Sequence, residues 1–319
     1  MNKYIKKLKI GNVELDNNVL VAPMAGITDK VFREILNEYG KPGAIGIEMV
    51  SAKGVFYKDD KTLEMVKSYN GEKIRVIQIF GSDLESMIYA VKHLSKHADI
   101  IDINAGCPMT KVTKTGSGAG LLEDLENLEN ILREIVKISK IPITLKTRIG
   151  YDKKILIDDI LEICHRTGVS ALTIHGRFTE QIYSGNVDFE TIKRIKEKAK
   201  IPIIANGGIF TLEDANNMFE KTGADGIMLA RGIIGNPFLV REILENRELD
   251  VSKKEKIELL KKHYKLLKEF RGEARASREI RKFICYYTKG LESAAKVRGQ
   301  IADVIDEKSF LDLINKFEV

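Results

Sequence analysis

The chain has 319 residues, 44% hydrophobic and 31% charged, with 52 Lys+Arg against 46 Asp+Glu and a formal net charge of +6. That balance excludes a disordered chain, and no apolar run nears the roughly 20 residues that a membrane helix needs. The lysine-rich start, Met1 to Leu8, has no apolar stretch behind it, so no targeting signal is expected. Three widely separated cysteines do not suggest a disulfide framework, and no CxxC or Cys/His spacing suggests zinc, so a reducing, cytoplasmic setting is expected.

The charge is uneven. Residues 251–319 hold 17 Lys+Arg and 11 Asp+Glu, while residues 1–250 hold 35 of each, so the last fifth of the chain carries the whole net charge. A basic region beside a neutral one suggests a polyanionic partner, nucleic acid first and a membrane surface second; a merely solvated lysine-rich surface accounts for it equally well.

Eight short apolar, β-branched runs follow in chain order: Val19 to Ala22, Ala44 to Met49, Arg75 to Phe80, Asp99 to Asn104, Pro142 to Thr147, Ala171 to His175, Pro202 to Asn206 and Gly226 to Ala230. Each leads into a helical pattern, and continuous apolar runs are strands buried on both faces. Between them, Thr28 predicts a helix cap, Ser82 opens an amphipathic run to Leu94, and Thr211-Leu212-Glu213-Asp214 reads as a helix start. Eight such units predict a (β/α)8 TIM barrel, with an open doubly wound sheet as the alternative architecture. From Ser252 the strands vanish, and residues 253–270, 273–289, 291–300 and 303–317 predict a small C-terminal helical bundle. The expected division is 1–245 and 246–319.

Strand C-terminal ends share one face of a barrel, where active sites lie. Here they carry Pro23, Met24, Glu48, Gln78, Asn104, Lys146, Arg148, His175, Arg177, Asn206, Gly207, Gly208, Ala230 and Arg231. Gln78 and Asn104 offer amide donors and acceptors to a planar heterocycle, Lys146 offers a cation, and the late glycines lie where barrels bind phosphate. Singly these are weak signs: Asn-Gly-Gly is also a turn, His175 also a core histidine, and Lys146 a partner for Glu48 across the mouth. The loop from Asn104 to about Leu121 is long and glycine-rich and holds Cys107 at the exit of an apolar strand, where a reactive group belongs. Cys164 and Cys285 fall in helical stretches and read as packing residues.

Ala22-Pro23-Met24-Ala25-Gly26-Ile27-Thr28-Asp29, Gln78-Ile79-Phe80-Gly81, Asp102-Ile103-Asn104-Ala105-Gly106-Cys107-Pro108, Lys146-Thr147-Arg148-Ile149-Gly150, Ile174-His175-Gly176-Arg177, Ala205-Asn206-Gly207-Gly208-Ile209 and Ala230-Arg231-Gly232 together resemble the tRNA-dihydrouridine synthase (Dus) family, most of all its bacterial B type. The resemblance spans nearly the whole chain. It implies bound FMN, reduced by NADPH or NADH, that converts uridine in tRNA to 5,6-dihydrouridine. Pro23, Met24 and Ala25 would pass along the isoalloxazine, Gln78 and Lys146 would meet its polar edge, His175 would help hold it, and Asn206, Gly207, Gly208, Ala230 and Arg231 would hold the phosphate end. Asn104, Arg148 and Arg177 would face uracil or RNA, and Cys107 would be the catalytic acid.

Reducing a pyrimidine 5,6 double bond takes hydride at C6 and a proton at C5. An ordinary thiol, with a pKa of about 8.5, is mostly protonated at neutral pH, as an acid must be. The expectation is general acid catalysis, not covalent catalysis. For RNA backbone, the candidates are Lys111 and Lys114 near the cysteine, and Lys261, Lys262, Lys265, Arg271, Arg275, Arg278, Arg281 and Lys282 in the basic helices. The rival readings are an FMN barrel acting on a free pyrimidine and a non-catalytic RNA-binding protein. A monomer is expected.

Overall fold

The computed structural model describes residues 2–292 and 294–317. It opens with a short antiparallel hairpin, β1 (Leu8–Ile10) and β2 (Val13–Leu15), too brief for alternation to announce in the sequence. Leu8, Ile10 and Leu15 are buried against Leu20, Ala44, Ile100 and Ile204, so the hairpin plugs the end of the barrel opposite the strand exits.

The barrel strands are β3 (Val19–Val21), β4 (Ala44–Ser51), β5 (Arg75–Phe80), β6 (Ile100–Ala105), β7 (Ile143–Tyr151), β9 (Ala171–Phe178), β10 (Ile203–Asn206) and β11 (Gly226–Leu229), with a two-residue β8 (Lys154–Ile155) between the fifth and sixth. Each pairs in parallel with the next, β6 pairs with β7, and β11 returns to β3, which closes the ring. Closure removes the open-sheet alternative. Every residue of β6 is buried, as expected of a strand covered by side chains inside and helices outside.

Two strands run three or more residues past their expected ends. β7 continues to Tyr151 and folds back on β8, and β9 continues to Phe178, so this pair rises past the barrel rim. Gly150 makes the return possible, because a Cβ there would lie 1.8 Å from the Lys154 carbonyl oxygen.

Two caps fall one residue later than predicted. Asp29 caps the helix Lys30–Tyr39 by accepting from Phe32 N, while Thr28 Oγ1 instead accepts from Met24 N at 2.9 Å and fixes the preceding turn. Likewise Asp83, not Ser82, caps the helix Leu84–Leu94, because Ser82 Oγ donates to the Thr115 carbonyl. The cysteine loop is not structureless: it holds a turn of helix at Thr110–Thr113 and a 3-10 helix at Gly118–Glu123.

The C-terminal region comprises helices Lys253–Arg271, Glu273–Tyr287, Ala294–Arg298 and Glu307–Ile314. Ser293, inside the expected 291–300 helix, lies outside the described residues. This region shares its core with the barrel. Phe32 of the first barrel helix stacks on His263 at 5.8 Å and packs tilted against Phe283 at 5.4 Å, and all three are fully buried. Gly235 lets the chain after β11 approach the helix Glu273–Tyr287 so closely that a Cβ would meet the Tyr286 backbone at 2.5 Å.

Candidate active site

The strand exits surround a cavity of about 410 Å³, within the range of small-ligand sites. Pro23, Met24, Ala25, Gln78, Asn104, Cys107, Lys146, Arg148, His175, Arg177, Asn206, Gly207, Gly208, Ala230 and Arg231 all line it. Seven of the eight barrel strands or their exits contribute to that set; β4 adds Met49.

Cys107 is half-buried in the cavity wall, and its turn is held from every side. Asn104 Oδ1 accepts from Cys107 N at 2.9 Å and from Gly106 N at 3.1 Å. Arg148 Nε donates to the Gly106 carbonyl at 2.9 Å, and Ala119 N donates to the Cys107 carbonyl at 3.0 Å. Gly118 stands at φ +59°, and a Cβ there would press on the Cys107 carbonyl at 2.9 Å. A thiol on so fixed a backbone is pre-positioned, which is what proton delivery to one atom requires.

Cys164 is fully buried in the helix Ile157–Thr167, where burial pushes its thiol up to about 12. Cys285 is only half-buried, on the helix Glu273–Tyr287, rather than packed away.

Lys146 Nζ donates to Asn206 Oδ1 at 3.2 Å, and Asn206 Nδ2 donates to the Met228 carbonyl at 2.7 Å. Burial, helped by the nearby Arg148 charge, brings the Lys146 ammonium down to about 8. Glu48 is not its partner: that carboxylate accepts from Gly26 N, and burial raises its pKa.

Burial and four surrounding cations hold His175 neutral by pressing its pKa far down. Arg177 Nη1 lies 3.2 Å from His175 Nε2; a guanidinium can only donate, so Nε2 accepts and the ring proton sits on Nδ1. Gly207 stands at φ +125° with its absent Cβ 2.8 Å from the His175 ring, and Gly208 at φ +68°. Neither N–H has an acceptor among the described residues. Two such donors at the exit of β10 could be met by the oxygens of an anion.

Not every expected contact residue is free. Arg148 is almost fully buried and also donates to the carbonyls of Phe178 (2.9 Å) and Ile182 (2.7 Å), while Arg177 donates to those of Ser184 and Gly185. Both guanidiniums brace the long β7–β9 rim from within the cavity wall. Lys111 and Lys114 lie exposed on and just after the turn Thr110–Thr113, outside the cavity lining.

The basic helices are more engaged than their sequence suggests. Arg271 is largely buried among Asp29, Glu64 and Glu279, Arg275 pairs with Glu279 and Glu64, and Lys262 pairs with Glu38. Arg281 donates to the Val304 carbonyl at 2.9 and 2.7 Å, and Lys282 Nζ donates to the Gly26 carbonyl. Lys261 lies beside Glu258, whereas Lys265 and Arg278 are exposed. Charge counting cannot foresee this, because most of the carboxylate partners come from other elements.

Sequence reasoning also missed the rim. Tyr183 and Phe210, each nearly half-exposed, line the cavity mouth with the Arg231 guanidinium 4.3 Å and 5.4 Å from their ring centroids. No spacing links residues 183, 210 and 231; only closure of the barrel brings them together.

The donor set could suit a planar, phosphorylated ring: two free backbone N–H groups at the exit of β10, the Gln78 and Asn104 amides and the Lys146 ammonium, and apolar Pro23, Met24 and Met228.

The family profile for dihydrouridine synthase (Dus) matches residues 20–318. The tRNA-dihydrouridine synthase B of Pasteurella multocida is 35% identical over 317 residues, covering 97% of this chain and 95% of that protein. The protein of the same name from Vibrio parahaemolyticus is 38% identical over 301 residues, covering 91% and 92%. Among solved structures, a variant of NCR from Zymomonas mobilis superposes with a TM-score of 0.55 at 17% identity, over 78% of this chain and 93% of that one, a likeness of fold. With a profile match over nearly its whole length and relatives of this similarity, the chain belongs to the dihydrouridine synthase family.

Proposed function

We propose that this protein is a flavin-dependent tRNA-dihydrouridine synthase that binds FMN at the barrel mouth and uses NADPH or NADH as reductant. The observation that carries the reading is the fixed Cys107 turn facing one cavity with Lys146, His175 and the Gly207–Gly208 cradle. FMN, once reduced, would supply hydride to C6 of a target uracil. The protein's own residues do the rest. Gly207 and Gly208 N–H groups, with the backbone at Ala230 and Arg231, bind the phosphate, and Gln78 and Lys146 orient the ring's polar edge. Asn104 and Arg148 hold Cys107 where its Sγ–H can pass a proton to C5; the thiolate is then reprotonated from solvent.

The target base must leave its stack to enter the cavity, which costs a few kcal/mol. We assign residues 1–245 to catalysis and the basic residues 246–319 to tRNA binding, with Lys111, Lys114 and Arg278 offering charge near the mouth and on the helices. No helix among the described residues is long and apolar enough to cross a membrane; we take the protein to act on tRNA in the cytoplasm, as a monomer.

The test is the visible absorbance spectrum of the purified protein, with any released chromophore identified by mass, followed by an assay on unmodified tRNA with NADPH. Bound FMN and dihydrouridine formation are expected. Failure to take up added FMN, or NADPH-dependent reduction of free uridine at the rate seen with tRNA, would overturn the reading.

A further inference from the structure

Asp102 lies on β6, four per cent exposed, and faces a small void inside the barrel rather than the cavity that holds Cys107. Its surroundings give a buried carboxyl a purpose. Cys107 N and Gly106 N both donate to one end of the Asn104 side chain, and two backbone donors can share only an oxygen. This orients the Asn104 amide, so its Nδ2 faces Gln78 and donates to Oε1 at 2.7 Å. Gln78 is oriented in turn, and its Nε2 faces inward and donates to Asp102 Oδ2 at 2.6 Å. A relay of amides polarised in one direction ends on a donor, and it needs a buried acceptor at that end. Asp102 is that acceptor, with its second oxygen engaged by Thr144 Oγ1 at 2.6 Å.

We propose that Asp102 is a positioning residue: through Gln78 and Asn104 it sets the polarity of the relay that fixes the Gly106–Cys107 turn and so the aim of the thiol. Removing the acceptor leaves the Gln78 amide without a buried partner and free to flip. A flipped Gln78 presents N–H to the Asn104 N–H, and a flipped Asn104 presents N–H to the two backbone N–H groups it now accepts from. The disturbance therefore reaches the cysteine turn through Gln78 and Asn104, which both line the cavity. The polarity does not require a charge. A neutral carboxyl that shares its proton with Thr144 Oγ1 still accepts from Gln78, which suits a site where burial raises the Asp102 pKa.

This inference rests on Cys107 being the acid for its catalytic consequence, but not for its structural one, and the experiment separates the two. Amide hydrogen exchange of the segment carrying Gly106 and Cys107 is followed in the purified protein without tRNA, alongside the rates of flavin reduction by NADPH and of dihydrouridine formation. In Asp102→Leu, exchange at Gly106 and Cys107 should quicken tenfold or more while β9 to β11 stay protected. Dihydrouridine formation should fall at least tenfold, and by a larger factor than flavin reduction, because Gln78 also borders the polar edge of the flavin. Asp102→Asn can offer Oδ1 to Gln78 and Nδ2 to Thr144, so it should restore both readouts. If Asp102→Leu does not fold, Gln78→Met cuts the same relay one bond later and should show the same exchange at Gly106 and Cys107. Parent-like exchange in the folded variant, or an Asp102→Asn protein as impaired as Asp102→Leu, would overturn the proposal. Quickened exchange in Asp102→Leu together with full turnover by Cys107→Ser would leave the positioning role standing and overturn the acid assignment instead.

Discussion

At the barrel mouth, polar groups from many strands converge on one open cavity, and the N–H groups of Gly207 and Gly208 have no acceptor among the described residues. In the basic helices the reverse holds: Arg271, Arg275, Arg281 and Lys282 are bound to carboxylates or carbonyls of this same chain. A polar group that the protein leaves unsatisfied points to a ligand, whereas a charge that the sequence merely counts does not. The helical region thus spends part of its positive charge on its own seam with the barrel.

The sharpest way to break this contrast is at the cysteine. Cys107→Ser should keep FMN binding and NADPH oxidation while dihydrouridine formation falls about 10²-fold or more, the usual worth of a positioned acid. Parent-rate turnover would remove the mouth's claim to chemistry. Next comes the seam. Phe283→Ala empties a fully buried site between barrel and helices and should cost about 3–5 kcal/mol in a denaturant titration, with the spectrum of bound flavin unchanged at low temperature. A loss under 1 kcal/mol would mean that the helical region is loosely attached.

The Lys146 ammonium gives a pH-dependent test. With its pKa near 8 in the fold and near 10.5 when unfolded, the unfolded chain holds a proton that the apo fold has released between those values. Apo stability should therefore gain a contribution as pH rises from 8 to 10.5, while FMN affinity declines over the same window as the cation is lost. Lys146→Met should flatten both trends, and fluorescence titrations of FMN across pH 7–10 check the second. The smallest effect should lie among the cations. Arg278→Ala should lower tRNA affinity and reduce the slope of log affinity against log salt by about 1, whereas Arg281→Ala should leave that slope unchanged. Equal slopes for the two variants would mean that exposure does not decide which cations meet RNA.

Much of this was legible in the sequence because it is local. Eight apolar runs mark eight barrel strands, and strand ends in a closed barrel necessarily share a face, so Gln78, Lys146, His175 and Asn206 could be brought together without coordinates. What escaped depends on distant partners. Whether Thr28 or Asp29 caps a helix turns on which one Met24 N engages, and whether Arg281 is available turns on the Val304 carbonyl. The β1–β2 hairpin is too short to register as periodicity, and the Tyr183–Arg231–Phe210 stack joins three separate exits. The Asp102 relay escaped as well, since an aspartate in an apolar strand shows its purpose only with Gln78 and Thr144 in place.

The contact of Phe32 with His263 and Phe283 also governs how the chain can be made. The apolar face of the helix Lys30–Tyr39 leaves the ribosome early, yet the aromatic residues that cover it are synthesised roughly 230–250 positions later. At about 5–20 residues per second, that face waits roughly 10–50 s for its cover. The barrel strands are all made while that face is still bare, and a chain truncated before the last helices would carry an uncovered apolar stripe inviting aggregation or a chaperone's grip.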